Sequence, residues 1–306
     1  MTKVFIDGSA GTTGLRIRQR LAQRTDLELI VLDEALRKDP AARREALYQS
    51  DVTFLCLPDA AAIEAAGFTP GPHTVLIDTS TAHRTHPDWV YGFPELGNAQ
   101  AIAQARRIAN PGCHASGFLA LIQPLRKAGL LKADARLSCF SLTGYSGGGK
   151  SMIAAYQDPE RSALLGAPRQ YGLGQSHKHL KEMVHVAQLE SAPLFCPIVA
   201  DFYSGMEVSV PLYAQDLTGT VEDVKKLYAQ CYRGPIVQYQ ENADEEGFLS
   251  AGAFSGKDSM QISVGGNAER LVLTARYDNL GKGASGAAIQ NMNIVLGVDP
   301  TTGLEL

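Results

Sequence analysis

The stretch KVFIDGSAGTTG, residues 3–14, decides the fold of this chain. A short apolar strand leads into a glycine-rich turn, and an apolar pattern at helical spacing follows through Leu15, Ile17 and Leu21. Glycines between a strand and a helix let the backbone approach the pyrophosphate of a dinucleotide, which then lies at the helix N-terminus. The spacing is G-x-x-G-x-x-G rather than G-x-G-x-x-G, so the turn by itself also fits a plain tight turn.

The next segments repeat this alternation of strand and helix. Apolar strands are predicted over residues 27–32, 52–57 and 74–78, with helices over 41–48 and 60–66. Alternating strands and helices indicate βαβ units and a parallel sheet, and uninterrupted apolar strands are typical of a sheet covered on both faces. We therefore predict an α/β protein with a Rossmann-like dinucleotide-binding domain.

Residues just after the second predicted strand bear on which dinucleotide binds. Asp33 lies where a carboxylate would hydrogen-bond the ribose 2′-OH and favour NAD. Arg37 and Lys38 follow a few residues later and could bind the 2′-phosphate of NADP instead. All three also fit a solvated loop, so the residues alone leave the choice between NAD and NADP open.

A second informative stretch is NPGCHASG, residues 110–117. Its proline and glycine turn the backbone before Cys113, and a helical apolar face follows at residues Phe118, Leu121, Ile122 and Leu125. A thiol at a helix N-terminus lies near unpaired N–H groups and the positive end of the helix dipole, which favour the nucleophilic thiolate. The alternative is that Cys113 is a small buried hydrophobic residue, as free cysteines usually are.

The chain carries one histidine cluster, in the stretch HKHLKE over residues 177–182. We predict no metal site there, because zinc would need a third ligand elsewhere and the H-E-x-x-H pattern is absent. Histidine titrates near neutral pH and suits a general base acting with Cys113. His114 adjoins Cys113, but neighbours on a helix do not face each other, so we do not assign it as the base.

The second half of the chain has a different strand pattern. Residues 206–213 alternate apolar and polar side chains, and residues 136–142, 261–264 and 271–276 are also predicted strands. This pattern predicts a mostly antiparallel sheet packed with helices.

The composition is that of an ordinary globular protein, with 306 residues, 45% hydrophobic and 20% charged, and a formal net charge of −4. The negative charge argues against binding to nucleic acid or an anionic membrane, and no apolar run approaches the roughly 18 residues of a membrane span. Five scattered cysteines without a C-x-x-C argue against a disulfide framework. We expect a cytoplasmic protein with reduced thiols and no signal peptide.

Taken together and in order, six motifs resemble the N-acetyl-γ-glutamyl-phosphate reductase family of arginine biosynthesis, in its shorter form. They are GSAGTTG at 8–14, DTSTAHR at 78–84, YGFPEL at 91–96, NPGC at 110–113, HKHLKE at 177–182 and DNLGKGASG at 278–286. The resemblance covers nearly the whole chain. It implies reduction of N-acetyl-γ-glutamyl phosphate, a small-molecule acyl phosphate, to N-acetylglutamate 5-semialdehyde with NADPH, by an enzyme related to aspartate-semialdehyde dehydrogenase.

The resemblance also implies a domain organisation. It places a Rossmann-like NADP-binding domain at residues 1–112, completed by a C-terminal helix within residues 284–306. It places an α+β catalytic and dimerisation domain at residues 113–283. We expect this organisation in a homo-oligomer, either a dimer or a tetramer.

Site residues within these motifs carry over from the resemblance, and Ser146 and Arg37, which lie outside the motifs, are further candidates. Cys113 becomes the nucleophile that forms a thioester, and His177, or else His179, becomes the acid/base. The substrate-binding residues are Arg84, Ser146 and Glu182. The cofactor-binding residues are Gly8, Gly11, Thr12, Thr13, Gly14, Arg37, Asn279 and Gly281.

The chain departs from the family directly after the cysteine. The family commonly has an aromatic residue, then proline or another small residue, then threonine, whereas this chain has His114, Ala115 and Ser116. Alternative functions are an aspartyl-phosphate or carrier-linked acyl-phosphate reductase with the same mechanism, a cysteine hydrolase with a Cys113–His177 pair, and a non-enzymatic NADP-sensing protein.

Overall fold

The computed structural model describes residues 1–306, which fall into two units. The first unit comprises residues 1–112 and 284–304, and the second comprises residues 113–283 and 305–306. No helix in the chain has both the length and the apolar character needed to cross a membrane.

Each unit is built around one sheet. The strands are β1 (Thr2–Asp7), β2 (Leu27–Ile30), β3 (Val52–Leu55), β4 (Val75–Asp78), β5 (Val90–Tyr91), β6 (Arg107–Ala109), β7 (Ser138–Gly144), β8 (Arg169–Gln170), β9 (Leu194–Ala200), β10 (Met206–Tyr213), β11 (Val237–Tyr239), β12 (Met260–Gly266) and β13 (Arg270–Tyr277).

Helices connect most of these strands. The α-helices are α1 (Thr12–Leu21), α2 (Pro40–Gln49), α3 (Asp59–Ala66), α4 (Ala99–Ala103), α5 (Cys113–Lys127), α6 (Gly149–Gln157), α7 (His179–Ala187), α8 (Val221–Cys231) and α9 (Gly286–Val295). Short 3₁₀ turns lie at Glu34–Leu36, Pro94–Leu96, Tyr145–Gly148, Ala163–Gly166 and Ala214–Asp216, and a π-helical turn lies at Gly281–Ser285.

The sheet of the first unit has six parallel strands in the order β2-β1-β3-β4-β6-β5. The chain leaves β1 in one direction to form β2 and then returns to the other side of β1 to form β3. Ligands of open α/β sheets bind at such a reversal, outside the carboxyl ends of the strands. The predicted Rossmann-like architecture is confirmed, and it places the turn after β1 at the expected binding position.

Helix α9 completes the core of the first unit. Its residues Ala288, Ile289 and Met292 are fully buried in one cluster with side chains from β1, β3 and β4, including Val4 and Phe54. Full burial of a side chain as large as Ile289 or Met292 stabilises a fold by about 1.5–3 kcal/mol. The last helix is therefore an integral part of the first unit.

The sheet of the second unit has seven strands in the order β11-β12-β13-β10-β7-β9-β8. Two neighbouring pairs, β11 with β12 and β7 with β9, are parallel, and the other four pairs are antiparallel. Along β10, Met206, Val208, Val210 and Leu212 are buried while the residues between them are partly or fully exposed. The predicted mostly antiparallel sheet is confirmed.

Helix α5 packs on β10 and β13 and contacts α7 and α8. It contains Pro124, which has no N–H to donate to the carbonyl of Ala120 one turn earlier. The Tyr232 hydroxyl, at the end of α8, donates to that carbonyl at 2.6 Å, and Tyr228 donates to the carbonyl of Leu121 at 2.5 Å. The proline is tolerated because α8 supplies hydrogen bonds to this part of α5.

Gly117 sets how closely α5 can approach the sheet. A Cβ at this position would lie 2.6 Å from Cγ2 of Val208 and 2.7 Å from the Tyr277 hydroxyl. Both neighbours are fully buried, so neither side chain can move aside easily. Only glycine allows the first turn of α5 to lie at this distance from β10 and β13.

Replacing Gly117 with Ala is expected to destabilise the protein although alanine is the better helix former. The overpacking cost of about 1–3 kcal/mol exceeds the gain in helix propensity of up to about 1 kcal/mol. Thermal unfolding followed by circular dichroism measures the difference. Gly265→Ala is the matched control, because an added Cβ there meets nothing within 4 Å. An unfolding temperature equal to that of the wild type for Gly117→Ala would contradict this account of the packing.

Candidate active site

The turn after β1 is one that only glycines can form. Gly8 has φ +90°, and a Cβ there would lie 2.2 Å from the carbonyl oxygen of Cys56. A Cβ on Gly14 would lie 2.4 Å from the carbonyl oxygen of Gly8, and the Gly11 N–H donates to that oxygen at 3.0 Å. Helix α1 then begins with Thr12 and no side chain caps its first turn. The turn thus leaves a helix N-terminus that side chains do not cover.

A cavity of about 650 Å³ lies beside this turn in the first unit. Its walls come from the end of β1, the turn itself and the segment after β2. Four of its lining residues carry a positive charge: Arg18, Arg37, Lys38 and Arg43. Arg43 is paired with the buried Asp7 at 2.9 Å. Burial raises the pKa of Asp7, and the Arg43 hydrogen bond opposes that effect.

Arg37 is the lining residue that best fits an anion. Its Nε is buried and has no hydrogen-bond partner, an arrangement that costs free energy unless a ligand supplies an acceptor. Asp33, the candidate for the ribose 2′-OH of NAD, is exposed and does not line the cavity. The glycine cradle, the cavity and the unpartnered guanidinium nitrogen therefore fit a dinucleotide that carries a 2′-phosphate.

Arg84 is held by the loop that follows β4. Its Nε donates to the carbonyl of Asn110 and one Nη donates to the carbonyl of Thr79, both at 3.0 Å. The loop is ordered by the buried Asp78, whose carboxylate accepts from Ser80 and lies 2.6 Å from Nδ1 of His83. These contacts fix the guanidinium in the first unit. Asp78 and His83 belong to the motif at residues 78–84, but their contact depends on the shape of the loop and could not be predicted from the sequence.

Cys113 is the first residue of α5, as the sequence predicted. The Tyr277 hydroxyl, from β13, donates to the Cys113 carbonyl at 2.6 Å and accepts from the Gly117 N–H at 3.0 Å. Gly283 lies beside the cysteine, because a Cβ on Gly283 would be 3.2 Å from the Cys113 Cβ. Burial raises the pKa of Tyr277 well above its usual value, and a thiolate at Cys113 adds to the effect.

The two candidate acid/base histidines lie on either side of the start of α7. His177 precedes the helix and its Nδ1 accepts from the N–H of His179, the first helical residue, at 3.2 Å. Their rings are 4.7 Å apart between centroids. Glu182, one turn further along α7, is buried, whereas His185 is exposed. The structure therefore brings His177 and His179 together, buries Glu182 on the same helix as His179 and leaves His185 exposed.

His114 belongs to the same cluster, which the sequence analysis did not predict. Its ring centroid lies 5.6 Å from that of His177 and 5.5 Å from that of His179. Burial, with a smaller contribution from positive charge on His177, lowers the pKa of His114 to about 3. His114 is thus neutral at working pH. The spacing of His114 and Cys113 along one helix shows only that their side chains do not face each other. The contacts of His114 with His177 and His179 are long-range in sequence and could not be predicted from that spacing.

Ser146 and Asn279 also meet in the second unit. Nδ2 of Asn279 donates to Oγ of Ser146 at 3.0 Å, and Oδ1 of Asn279 accepts from the N–H of Gly205 at 3.0 Å. A Cβ on Gly281 would lie 1.9 Å from the carbonyl oxygen of Lys257. The segment 278–281 is therefore held by close backbone contacts, and Asn279 bonds directly to one of the predicted substrate residues.

No group of three or more His, Cys, Asp or Glu side chains in the chain is arranged to hold a metal ion. None of the five cysteines forms a disulfide. The residues of the second unit gathered near Cys113 therefore offer a thiol, imidazoles, phenols and a carboxylate. This set suits covalent catalysis with proton transfer.

Comparison with known proteins gives the same division of the chain in two. Residues 33–105 match the family described as "Semialdehyde dehydrogenase, NAD binding domain", and residues 113–279 match "Semialdehyde dehydrogenase, dimerisation domain". The crystal structure of aspartate semialdehyde dehydrogenase II from Vibrio cholerae is similar with a TM-score of 0.71 over 97% of this chain and 98% of that one. Its sequence is only 17% identical, so this similarity concerns the fold alone.

Two relatives with higher sequence identity to this chain have the same name. The N-acetyl-gamma-glutamyl-phosphate reductases of Burkholderia ambifaria and Rhizobium meliloti are each 46% identical over 305 residues. The matches cover 96% of this chain, with 96% of the first relative and 98% of the second. The predicted resemblance is confirmed, and the chain belongs to the N-acetyl-γ-glutamyl-phosphate reductase family within the semialdehyde dehydrogenases.

Proposed function

We propose that this chain is the NADPH-dependent reductase that converts N-acetyl-γ-glutamyl phosphate to N-acetylglutamate 5-semialdehyde in arginine biosynthesis. The observation that carries the proposal is the position of Cys113, the first residue of α5, in a chain 46% identical to reductases of that name. The next residue, His114, has its ring 5.6 Å from that of His177. The thiol serves as nucleophile, and a thioester on Cys113 is the covalent intermediate.

The first chemical step belongs to residues of this chain. The Cys113 thiolate attacks the acyl carbon, a C–S bond forms, the C–O bond to phosphate breaks, and inorganic phosphate leaves. Arg84 binds the phosphate group and stabilises its charge as it departs. His177, with His179 beside it, accepts the thiol proton before the attack. Splitting the reaction at a thioester replaces one difficult step with two easier ones.

NADPH, when bound, would supply the hydride that reduces the thioester carbonyl. The backbone N–H groups of the first turn of α5 are the donors available to the negative charge that develops on the carbonyl oxygen. Collapse of the resulting thiohemiacetal alkoxide breaks the C–S bond, releases the aldehyde and returns the thiolate to Cys113. Ser146 and Glu182 are proposed to orient the substrate.

The residues of the first unit fit NADPH. The turn of residues 8–14, with Thr12 and Thr13 opening α1, would hold the pyrophosphate. Arg37, whose Nε lacks a partner, would bind the 2′-phosphate. Asn279 and Gly281 are proposed to lie near the nicotinamide.

We also propose a homodimer or homotetramer in the cytoplasm. Phe140, Pro211, Tyr213 and Val272 are exposed on one face of neighbouring strands of the second unit. An apolar patch of this kind is typical of a subunit interface, and residues 113–279 match a family described as a dimerisation domain. Catalysis by a reduced thiol suits the reducing conditions of the cytoplasm.

Replacing Cys113 with Ser should abolish the reaction. Wild-type protein is expected to form NADPH from NADP⁺, N-acetylglutamate semialdehyde and phosphate. Loss of one oxyanion donor typically lowers a rate by about 10²–10³-fold, and Cys113→Ser should lower it by more because the covalent route is lost. NADPH absorbance measures the rate, and exposed Cys231→Ser is the control. Turnover that survives in Cys113→Ser would remove the thioester. Faster turnover of aspartate semialdehyde than of the acetylated substrate would favour the aspartyl-phosphate alternative.

Replacing Arg37 with Ser should change cofactor preference. A charge-assisted hydrogen bond contributes about 1.5–3 kcal/mol, so kcat/KM for NADPH should fall by about 10–150-fold while kcat/KM for NADH stays unchanged. Steady-state kinetics with both cofactors measures this ratio. Arg44→Ser is the matched control, because Arg44 is exposed on α2 and does not line the cavity. An equal loss with NADPH and NADH would argue against binding of the 2′-phosphate by Arg37.

A further inference from the structure

The buried carboxylate of Asp278 connects two loops of the second unit. Its Oδ1 accepts from the N–H groups of Leu280 and Gly281, at 2.7 Å and 3.3 Å, in the turn that follows β13. Its Oδ2 accepts from the N–H of Gly256 at 2.5 Å and from the Ser204 hydroxyl at 3.0 Å. The side chain is fully buried, and no step of the proposed reaction uses it. Asp278 therefore holds its own turn against segments that are distant in sequence.

The backbone of Asp278 stabilises the same turn. Its carbonyl oxygen accepts from the N–H groups of Gly281 and Gly283, both at 3.0 Å. A side chain at Gly281 would overlap with the carbonyl of Lys257, so the turn is closely packed on that side. Hydrogen bonds to this one residue thus fix the path of residues 278–283, and Asn279 has to follow that path.

The amide of Asn279 is held in one orientation. Its Oδ1 accepts from the N–H of Gly205, and its Nδ2 donates to Oγ of Ser146, both at 3.0 Å. A backbone N–H can only donate, so the amide oxygen must face Gly205 and the amide nitrogen must face Ser146. Residues 278 and 279 therefore bind the consecutive residues 204 and 205, the first through a carboxylate and the second through an amide.

We propose that Asp278 is a positioning residue that holds the Asn279 amide on Ser146 during the reaction. This inference rests on the proposed function, in which Ser146 orients the substrate and Asn279 lies near the nicotinamide. No bond of Asp278 forms or breaks. Because Asp278 acts through Asn279, its effect on the rate disappears when the Asn279 side chain is removed.

The alternative is that Asp278 only stabilises the fold. Loss of its carboxylate would then reduce the amount of folded enzyme and leave the remaining folded molecules fully active. Such a loss would multiply with the effect of any substitution at Asn279, because the two effects would be independent. A double-mutant cycle therefore distinguishes a positioning role from a structural one.

The test measures kcat for wild type, Asp278→Asn, Asn279→Ala and the double variant, in the direction that forms NADPH from NADP⁺, N-acetylglutamate semialdehyde and phosphate. An amide has one acceptor oxygen where a carboxylate has two, so Asp278→Asn leaves buried donors unsatisfied and should lower kcat by about 5–150-fold. Asn279→Ala should lower kcat at least as much. The double variant should have the kcat of Asn279→Ala alone. Circular dichroism at the assay temperature measures the folded fraction of each variant.

Ser255→Ala is the matched control for the cycle. Ser255 is exposed, and its hydroxyl lies 2.7 Å from the Ser204 hydroxyl, so it contacts the carboxylate only through Ser204. The Ser255→Ala variant should keep the wild-type kcat. Combined with Asn279→Ala, it should give the value of Asn279→Ala.

The results separate this inference from the function on which it rests. Losses that multiply in the double variant would overturn the inference, as would a wild-type kcat in either single variant. If Asp278→Asn does not fold, Ser204→Ala replaces it in the cycle. That variant removes one donor to the carboxylate, so its loss should be smaller but should likewise disappear beside Asn279→Ala. Turnover that persists in Cys113→Ser would instead contradict the proposed function.

Discussion

The position of Cys113 depends on one constraint, the close approach of the first turn of α5 to the sheet of the second unit. Tyr277 inserts its hydroxyl between the Cys113 carbonyl and the Gly117 N–H, two groups that are i and i+4 along the helix. This is possible only because Gly117 has no side chain. A buried phenol from β13 thus fixes the backbone at Cys113 directly, and Gly283 leaves space beside the Cys113 Cβ.

The turn after β1 in the first unit also depends on glycines. Only glycine fits at positions 8 and 14, because a Cβ there would lie within about 2–3 Å of a backbone carbonyl. In each unit, a helix begins immediately after a segment that contains glycines, and the first N–H groups of such a helix favour negative charge. In the proposed function this charge is a phosphate in the first unit and a thiolate or an oxyanion in the second.

The sequence was sufficient for features that depend on local pattern. The strand–turn–helix at residues 2–21, the start of α5 at Cys113 and the alternation along β10 all follow from spacing within one segment. The contacts of His114 could not be predicted in the same way. His114, Ser141 and Tyr171 lie on different elements, and they meet because β7, β9 and β8 are neighbours in the sheet. That strand order is a long-range property which no single segment encodes.

The presence of histidine at position 114 makes three positions interdependent. A buried imidazole without partners would cost about 1–3 kcal/mol for each unsatisfied nitrogen, and here Ser141 and Tyr171 satisfy both. Replacing Ser141 by a purely apolar residue would leave Nδ1 without a partner, whereas the same change beside a phenyl ring would leave nothing unsatisfied. Residues 114, 141 and 171 are therefore coupled through hydrogen bonds, and the effect of a substitution at one of them depends on the other two.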